Sequence, residues 1–254
     1  MSKVTLSQAA HSVRLQRHTW EGGHSMLDMR MLDTTSHRRS AAVLAILYVA
    51  IQTFQSFVFS QLPVPDGAVQ ELLQGPLPLN VARAASMLLS FFGLAYVFLV
   101  VCAAHYRHAP LLAIGAFLGF FVFCLLEVGL RSVELFHVQL QLPQLYAAAT
   151  SDAARAQVLA SLSGFQSIQL ALYFPLMLAQ ALASLALCVW IRGGRGNLLL
   201  RVVMGINAAR LFTRMWGLYL HVPWFDAIND ALYLVLVYVI YGGIAAWLLS
   251  RRDG

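Results

Sequence analysis

The sequence is poor in charge. Asp, Glu, Lys and Arg together make up 11% of its 254 residues, whereas apolar residues make up 59%. Soluble domains contain about 25% charged and roughly 45–50% apolar residues. A soluble fold of this length cannot bury so many apolar side chains, but a lipid bilayer can accommodate them. The composition therefore predicts an integral membrane protein.

Cysteine is scarce as well, and familiar catalytic signatures are missing. Cys102, Cys124 and Cys188 lie within apolar runs without Cys-x-x-Cys spacing, which is typical of small buried side chains. The chain has neither a Gly-x-Ser-x-Gly turn nor a phosphate-binding loop. These absences argue against a serine hydrolase of that type and against an ATP-driven machine. These signatures predict no resident cofactor.

The net charge of +6 does not indicate a nucleic-acid partner. Nucleic-acid-binding surfaces carry a basic stripe or patch, whereas the basic residues here form short clusters between apolar runs. Such clusters are typical of the cytoplasmic loops of a membrane protein. The predicted partner is therefore the bilayer itself, with no role for nucleic acid.

Six apolar segments are long enough to span a membrane, which takes about 20 residues. They predict an all-α, polytopic bundle of six transmembrane helices over residues 40–250. A polar tail (residues 1–39), mobile or bound to the membrane surface, precedes the bundle, and a short cytoplasmic C-terminus (residues 251–254) follows it. The predicted spans are Ser40–Gln61, Val81–Ala104, Pro110–Val138, Ala156–Ile191, Leu198–Leu220 and Asn229–Ser250.

The distribution of Lys and Arg predicts the orientation. With the N-terminus inside, twelve of the seventeen basic residues fall on the cytoplasmic side and two, Arg83 and Arg155, fall on the opposite side. Cytoplasmic segments carry this excess in membrane proteins. We therefore predict that both termini are cytoplasmic and that the protein resides in a bacterial inner (plasma) membrane.

Two predicted helices carry charges inside the membrane. Glu127, Arg131 and Glu134 share one face of the third helix at i, i+4 and i+7. The fifth helix presents Asn207, Arg210 and Arg214 on one face in the same way. Each mid-membrane charge costs about 2.5–3.5 kcal/mol in lipid, so these groups must face one another, water or a ligand. We expect the two carboxylates to pair with Arg210 and Arg214.

Polar residues of the other helices fall at the same depth under this topology, including Gln55, Gln166, Gln169 and Tyr173. The opposite halves of the helices are mostly Leu, Ala, Val and Phe. This pattern predicts a polar cavity that is open to the extracytoplasmic side and closed by apolar packing on the cytoplasmic side. In the alternative interpretation, buried ion pairs and polar side chains only fix the register of the helices.

Three functional hypotheses follow. Arginines bind carboxylates and phosphates through forked hydrogen bonds, which favours a site for an anionic small molecule or lipid headgroup that is bound or transported. Its candidate ligand-binding residues are Arg131, Arg210, Arg214, Asn207, Gln55, Gln166, Gln169 and Tyr173. The second hypothesis is an enzyme acting on a lipid-linked or amphipathic substrate, with Glu127 and Glu134 as acid and base. The third is a non-catalytic membrane subunit, with a copy of itself or another membrane protein as partner.

A metal site is a further hypothesis. Glu134 and His137 have the i, i+3 spacing of helical metal ligands. Carboxylate and imidazole together suit zinc or iron. Arg131 lies on the same face and would repel a cation, which argues against a metal at this position.

The chain also resembles a family of bacterial membrane proteins. A basic start to the first helix at Arg38 and Arg39, a third helix bearing Arg and Glu, and a long fourth helix are similar to domain of unknown function 4386. The resemblance extends over residues 38–250. It implies a six-helix membrane bundle and no particular activity.

Overall fold

A computed structural model gives the structure of residues 34–191 and 195–251. This part of the chain is all-α and contains no β-strand. The predicted tail, residues 1–39, and the predicted C-terminus, residues 251–254, fall largely outside the described residues. The elements are α1 (Thr35–Gln61), α2 (Ala68–Gln74), α3 (Pro78–Ala103), α4 (Pro110–Ser132), a π-helical segment (Val133–Gln141), α5 (Leu142–Ala148), α6 (Asp152–Trp190), α7 (Arg195–Leu220) and α8 (Pro223–Ser250).

Five helical stretches of the described chain are long and apolar enough to cross a membrane. They are α1, α3, the continuous stretch Pro110–Ala148, α6 and α8. The apolar, membrane-type helical fold predicted from composition is therefore present. Helix α7 is long enough to span but is not among the five, because its arginines lower its mean hydropathy.

Several helices begin earlier than the apolar runs predict, because capping residues set their ends. Thr34 caps α1 by accepting a hydrogen bond from the His37 backbone N–H. Ser151 caps α6 in the same way, accepting from the Ala154 N–H at 3.2 Å. Helices α3 and α8 begin with proline, whose missing N–H is tolerated in the first turn.

The third apolar run was predicted to end at Val138, but helical backbone continues to Ala148. A π-helical segment joins α4 to α5, and the Leu142 N–H closes it by donating to the His137 carbonyl five residues earlier. Pro143 lies in the first turn of α5 and does not interrupt the path. The short helix α2 was not predicted, since the residues around it are rich in proline and glycine.

The six long helices form a closed ring. Each of α1, α3, α4, α6 and α7 packs against the next long helix along the chain, and α8 returns to pack against α1. The ring has a near end, where α1 begins and α8 ends, and a far end, where α2 and α5 lie. An axial cavity can therefore form between the helices without any loop crossing the centre.

Apolar side chains close the near end. The Phe98 and Phe120 rings stack with centroids 3.9 Å apart, and His105 stacks on Trp247 at 5.5 Å. Among the described residues, the buried polar residues of the far half include Arg83, Glu127, Gln139 and Asn229. Others, Arg38, Gln180 and Ser184, lie in the near half, so polar residues are not confined to one half of the bundle.

Helix α6 extends past the rest of the bundle at the far end. Its 39 residues span about 58 Å at 1.5 Å per residue, whereas the hydrocarbon core of a bilayer is about 30 Å thick. The first turns of α6 pack against α2 and α5 in a separate apolar cluster around Leu72, Leu142 and Leu162. This small second core holds α2 over the far end of the ring.

Candidate functional site

A chain of ion pairs lies in the far half of the bundle. Arg131 donates from Nη1 to Glu134 at 2.6 Å and from Nε to Glu127 at 3.2 Å. Arg83 on α3 donates to the other oxygen of Glu134 at 2.7 Å. The spacing of Glu127, Arg131 and Glu134 indicated one shared face, and their mutual contacts agree with it. We call Arg83, Glu134, Arg131 and Glu127 the ion-pair chain.

The π-helical segment adds an amide to this chain. A π-helix makes i→i+5 contacts, so it brings Gln139 onto the face of Glu134. Gln139 donates from Nε2 to Glu134 Oε1 at 3.2 Å, and its side chain is only 4% exposed. Glu134 therefore receives hydrogen bonds from Arg83, Arg131 and Gln139. Sequence spacing did not reveal this contact, because it depends on the wider helical turn.

Arg83 is the main functional candidate that the sequence analysis placed elsewhere. It was counted as a basic residue of the outer side, yet the structure buries it to 4% exposure. Asn80 accepts from its Nε at 2.8 Å, and the Phe59 ring lies 4.8 Å from its guanidinium carbon. The sequence did offer one indication of this position: Asn80 and Arg83 are spaced i, i+3 just after the proline that begins α3, so they can form a hydrogen bond.

The expected pairing of the two glutamates with Arg210 and Arg214 is wrong. Arg214 pairs with Asp230 of α8 at 2.5 Å, at a half-exposed position. Arg210 has no carboxylate within 4 Å among the described residues, and its buried Nε has no hydrogen-bond partner there. The nearest aromatic contact of its guanidinium is the Tyr233 ring at 5.8 Å. The two glutamates instead pair with Arg131 in their own helical stretch and with Arg83 on the neighbouring helix α3.

Two cavities flank the ion-pair chain. The outer cavity, about 560 Å³, lies beneath α2 and the loop that precedes it, between α3, the π-helical segment and α6. Arg83, Arg131 and Glu134 line it together with several amide side chains. Val64, at the tip of the covering loop, is 91% exposed. The outer cavity therefore reaches the far surface of the molecule.

The inner cavity, about 520 Å³, lies between α1, α4, α6, α7 and α8. Its charged lining residues are Glu127, Arg210, Arg214 and Asp230. Glu127 is held by Arg131 and Asp230 by Arg214, so Arg210 is the charged lining group without an ionic partner. The remaining lining is largely apolar and aromatic: Tyr48, Phe59, Phe123, Leu170, Tyr173, Leu176, Met177, Leu211, Leu218, Tyr233 and Tyr241.

Gln55, Phe59 and Tyr173 line both cavities and form the partition between them. The Tyr173 hydroxyl accepts from Gln169 Nε2 at 3.0 Å and lies 3.4 Å from Arg131 Nη2. Gln55 Oε1 is buried without a donor among the described residues. The residues shared by the two cavities thus come from α1 and α6.

Two predicted ligand residues lie away from the centre. Asn207 lines neither cavity; it donates to Ser184 Oγ at 2.8 Å and joins α7 to α6. Gln166 lines the rim of the outer cavity, where it donates to Glu71 Oε1 of α2 at 2.7 Å. Asn207 therefore has a packing role in this structure, whereas Gln166 anchors α2 over the cavity. Gln55, Gln169 and Tyr173 line the outer cavity, and Gln55 and Tyr173 also line the inner one.

The proposed metal ligands do not converge. His137 shares a hydrogen bond of 2.7 Å with Gln141, while Glu134 is engaged by two arginines. No group of three or more His, Cys, Asp or Glu side chains in residues 34–191 and 195–251 could hold a metal ion. A π-helix turns residues three apart farther from one another than an α-helix does, which explains the separation. A metal at these residues stays a prediction without support from this geometry.

The two candidate catalytic carboxylates differ in their surroundings. Glu134 receives three donors and lines the outer cavity, so little of it is left to exchange a proton with a substrate. Glu127 receives the longer Arg131 contact and lines the inner cavity. Of the two, Glu127 is the one placed to contact a ligand there.

Comparison with known proteins gives no further indication: no family model, no curated protein and no solved structure matches the chain.

Proposed function

We propose that the protein binds an amphipathic anion in the inner cavity, with the Arg210 guanidinium as the anchoring group. The observation that carries the proposal is that Arg210 has no ionic partner among the described residues, in a cavity whose two carboxylates, Glu127 and Asp230, both have arginine partners. A guanidinium without a counter-ion in a partly desolvated cavity is costly, and a carboxylate or phosphate removes that cost. Binding of an anion therefore completes the charge pairing of the site.

The apolar lining favours a ligand with an apolar body. Phe123, Leu176 and Leu211 line the same space as Arg210. Small-molecule sites are typically apolar cavities of roughly 300–1,000 Å³ with a few polar groups that fix orientation. A lipid or lipid-like anion, charged at one end and apolar along its length, matches this lining better than a compact inorganic anion.

We also propose that α7 is a sixth span, with both termini cytoplasmic and the cavities toward the extracytoplasmic side of a bacterial inner membrane. Most basic residues outside the helices lie at the near end, and cytoplasmic segments of membrane proteins carry such an excess. Helix α7 packs between α6 and α8 and directs Arg210 and Arg214 into the cavity. Its exposed residues include Leu198, Val202 and Leu220, which suit contact with lipid.

Access to the cavities then comes from the extracytoplasmic side, since stacked aromatic side chains close the other end. The protein would receive its ligand there, either to hold it or as the first step of transport. The resemblance to domain of unknown function 4386 is consistent with such a bundle and adds no activity.

The test is lipid binding to the purified protein, measured by native mass spectrometry. The probes are phosphatidylpropanol, an anionic phospholipid with a plain alkyl headgroup, and phosphatidylcholine with the same acyl chains. We expect the wild type to prefer phosphatidylpropanol and Arg210→Gln to lose that preference.

Arg201→Gln is the matched control. Arg201 lies on the same helix, donates to the Cys188 carbonyl at 3.2 Å and lines neither cavity. This variant removes the same charge and should bind like the wild type. Unchanged lipid preference in Arg210→Gln would overturn the proposal.

A further inference from the structure

The residues that line only one cavity leave opposite kinds of polar atom unsatisfied. Arg210, which lines the inner cavity, leaves a donor, Nε, without a partner among the described residues. Gln139, which lines the outer cavity, leaves an acceptor, Oε1, and Gln55 leaves a second acceptor on the partition between the two cavities. A buried amide oxygen without a partner costs about 1–3 kcal/mol, so a ligand that supplies donors would bind favourably.

The orientation of the Gln139 amide is fixed by its neighbour. Its Nε2 donates to the Glu134 carboxylate, which can only accept, so its Oε1 is the atom left over. Gln139 is more than nine-tenths buried and lines the outer cavity. The free acceptor is therefore a feature of the π-helical segment, independent of Arg210.

The charged groups of the outer cavity are already paired. Glu134 takes both Arg83 and Arg131, and Glu71 accepts from Gln166 at the rim. Among the described residues, no carboxylate at the centre of this cavity is free to bind a cation. A second anion would be repelled by Glu134. The group that fits there is neutral and rich in hydrogen-bond donors.

The lining supports hydroxyl groups as those donors. Amide side chains and aromatic rings are the surfaces to which hydroxylated groups bind, since an amide both donates and accepts while a ring packs against C–H groups. Phe59 and Phe165 supply the rings. The amide residues of the outer cavity are Gln55, Gln74, Asn80, Gln139, Gln166 and Gln169.

We infer that the outer cavity holds the neutral, multiply hydroxylated part of the same ligand, a polyol or sugar attached to the anionic group at Arg210. Gln55, Phe59 and Tyr173 line both cavities, so the two cavities are neighbours and one ligand can contact both. This inference rests on the proposed anion site and specifies its substrate class: an anion esterified to a polyol, as in phosphatidylglycerol or a glycosylated lipid phosphate.

The decisive experiment compares phosphatidylglycerol with phosphatidylpropanol on the wild-type protein by native mass spectrometry. These lipids share charge, chain length and headgroup carbon count, and differ only in the headgroup hydroxyls. One or two added hydrogen bonds predict about five- to thirtyfold tighter binding of phosphatidylglycerol. Equal binding of the two lipids overturns the inference, while a loss of preference for both over phosphatidylcholine overturns the anion site itself.

Variants then locate the effect. Gln139→Met should abolish the preference for phosphatidylglycerol over phosphatidylpropanol, because Gln139 lines the outer cavity and not the inner one. Binding of phosphatidylpropanol shows that the variant is folded. Gln141→Met is the control, because Gln141 lies in the same π-helical segment, is exposed and lines neither cavity. Retention of the preference in Gln139→Met would contradict the assignment.

A soluble competitor identifies the source of the ligand. Displacement of phosphatidylglycerol by glycerol 1-phosphate would show that a free polyol phosphate occupies the site. Persistence of the bound lipid, together with the preference for phosphatidylglycerol, would assign the site to a lipid headgroup.

Discussion

Arg83 and Glu134 form an ion pair of 2.7 Å that joins α3 to the π-helical segment, across 51 positions of the chain. Arg131 holds the other oxygen of the same carboxylate from within α4. One glutamate thereby ties two neighbouring helices of the ring together at the depth of the cavities. With both of its oxygens held by Arg83 and Arg131, Glu134 does not pair with Arg210.

Arg83→Ala should destabilise the protein. Removing one member of a buried ion pair typically costs about 3–5 kcal/mol, and we expect the lower end because Arg131 continues to hold Glu134. Glu134→Ala should cost more, since it leaves two guanidinium groups without this carboxylate. The free energy of unfolding, measured in lipid nanodiscs or mixed micelles, gives the values, and the double variant gives the coupling.

Arg155→Ala provides the control for that series. Arg155 lies 3.8 Å from Asp152 in a solvent-exposed pair on the first turn of α6. Exposed pairs of this kind contribute little to stability, so no measurable change is expected. A loss in Arg155→Ala as large as that in Arg83→Ala would show that the buried pair has no special role.

Much of the helical fold can be predicted from the sequence, because apolar runs of spanning length form helices in a membrane. The ends of the helices do not follow from hydropathy, since Thr34 and Ser151 set them by capping. The π-helical segment and α2 escape prediction for a different reason. Their conformations depend on tertiary contacts around Leu72 and Leu142, which no local pattern specifies.

The site was predictable in part. The periodicity of Glu127, Arg131 and Glu134 indicated a shared face because helical geometry alone brings such residues together. Partner choice between helices was not predictable: Glu134 pairs with Arg83, and Arg214 pairs with Asp230. Each choice depends on which helices are neighbours in the ring, and the sequence carries no direct record of that arrangement.

Arg210→Met should leave the free energy of unfolding of the lipid-free protein unchanged or raise it. The pairing of Arg210 with a buried glutamate, expected from the sequence, would instead make such a substitution destabilising. The structure shows no such partner among the described residues, so the substitution removes an uncompensated charge and adds apolar contact. Thermal unfolding in detergent measures the effect.

The same variant should lose stabilisation by added anionic lipid. A ligand that binds only the folded state raises the unfolding temperature of the wild type, and the rise disappears with the site. Arg201→Met is the matched control and should respond like the wild type. Clear destabilisation of lipid-free Arg210→Met would indicate a structural role for Arg210 instead.

Adjacent glycines of α8 provide a test of how closely α7 packs against it. A Cβ added at Gly243 would lie 2.5 Å from Val203 Cγ1, whereas one added at Gly242 meets nothing within 4 Å. Val203 is buried and β-branched, so its side chain cannot turn away easily. Gly243→Ala should destabilise by about 1–3 kcal/mol through overpacking. Small residues permit such close approach of helices in membranes.

Gly242→Ala is the matched control, one residue away on the same helix. It should be neutral or slightly stabilising, because alanine favours helix by up to about 1 kcal/mol over glycine. Comparison of the two unfolding free energies removes the shared effect of helix propensity. Equal values for the two variants would contradict the close packing of α7 against α8.

His221, in the connection between α7 and α8, distinguishes five spans from six. In a chain free of its native cysteines, single cysteines at Val64, Thr150 and His221 should react with a membrane-impermeant maleimide from outside intact cells. A cysteine at Arg107 should react only after permeabilisation. If α7 did not cross the membrane, His221 would instead behave like Arg107.

We expect external labelling at His221 because α7 can span the membrane despite its low mean hydropathy. That mean combines one polar face and one apolar face of the helix. Arg210 and Arg214 face the inner cavity, while Leu198 and Leu220 lie exposed on the surface of the helix. A helix that keeps its charges in a cavity between its neighbours presents lipid with an apolar surface, and its average hydropathy understates its capacity to span. Labelling of His221 in the manner of Arg107 would require both arginines to be reassigned to the cytoplasmic side.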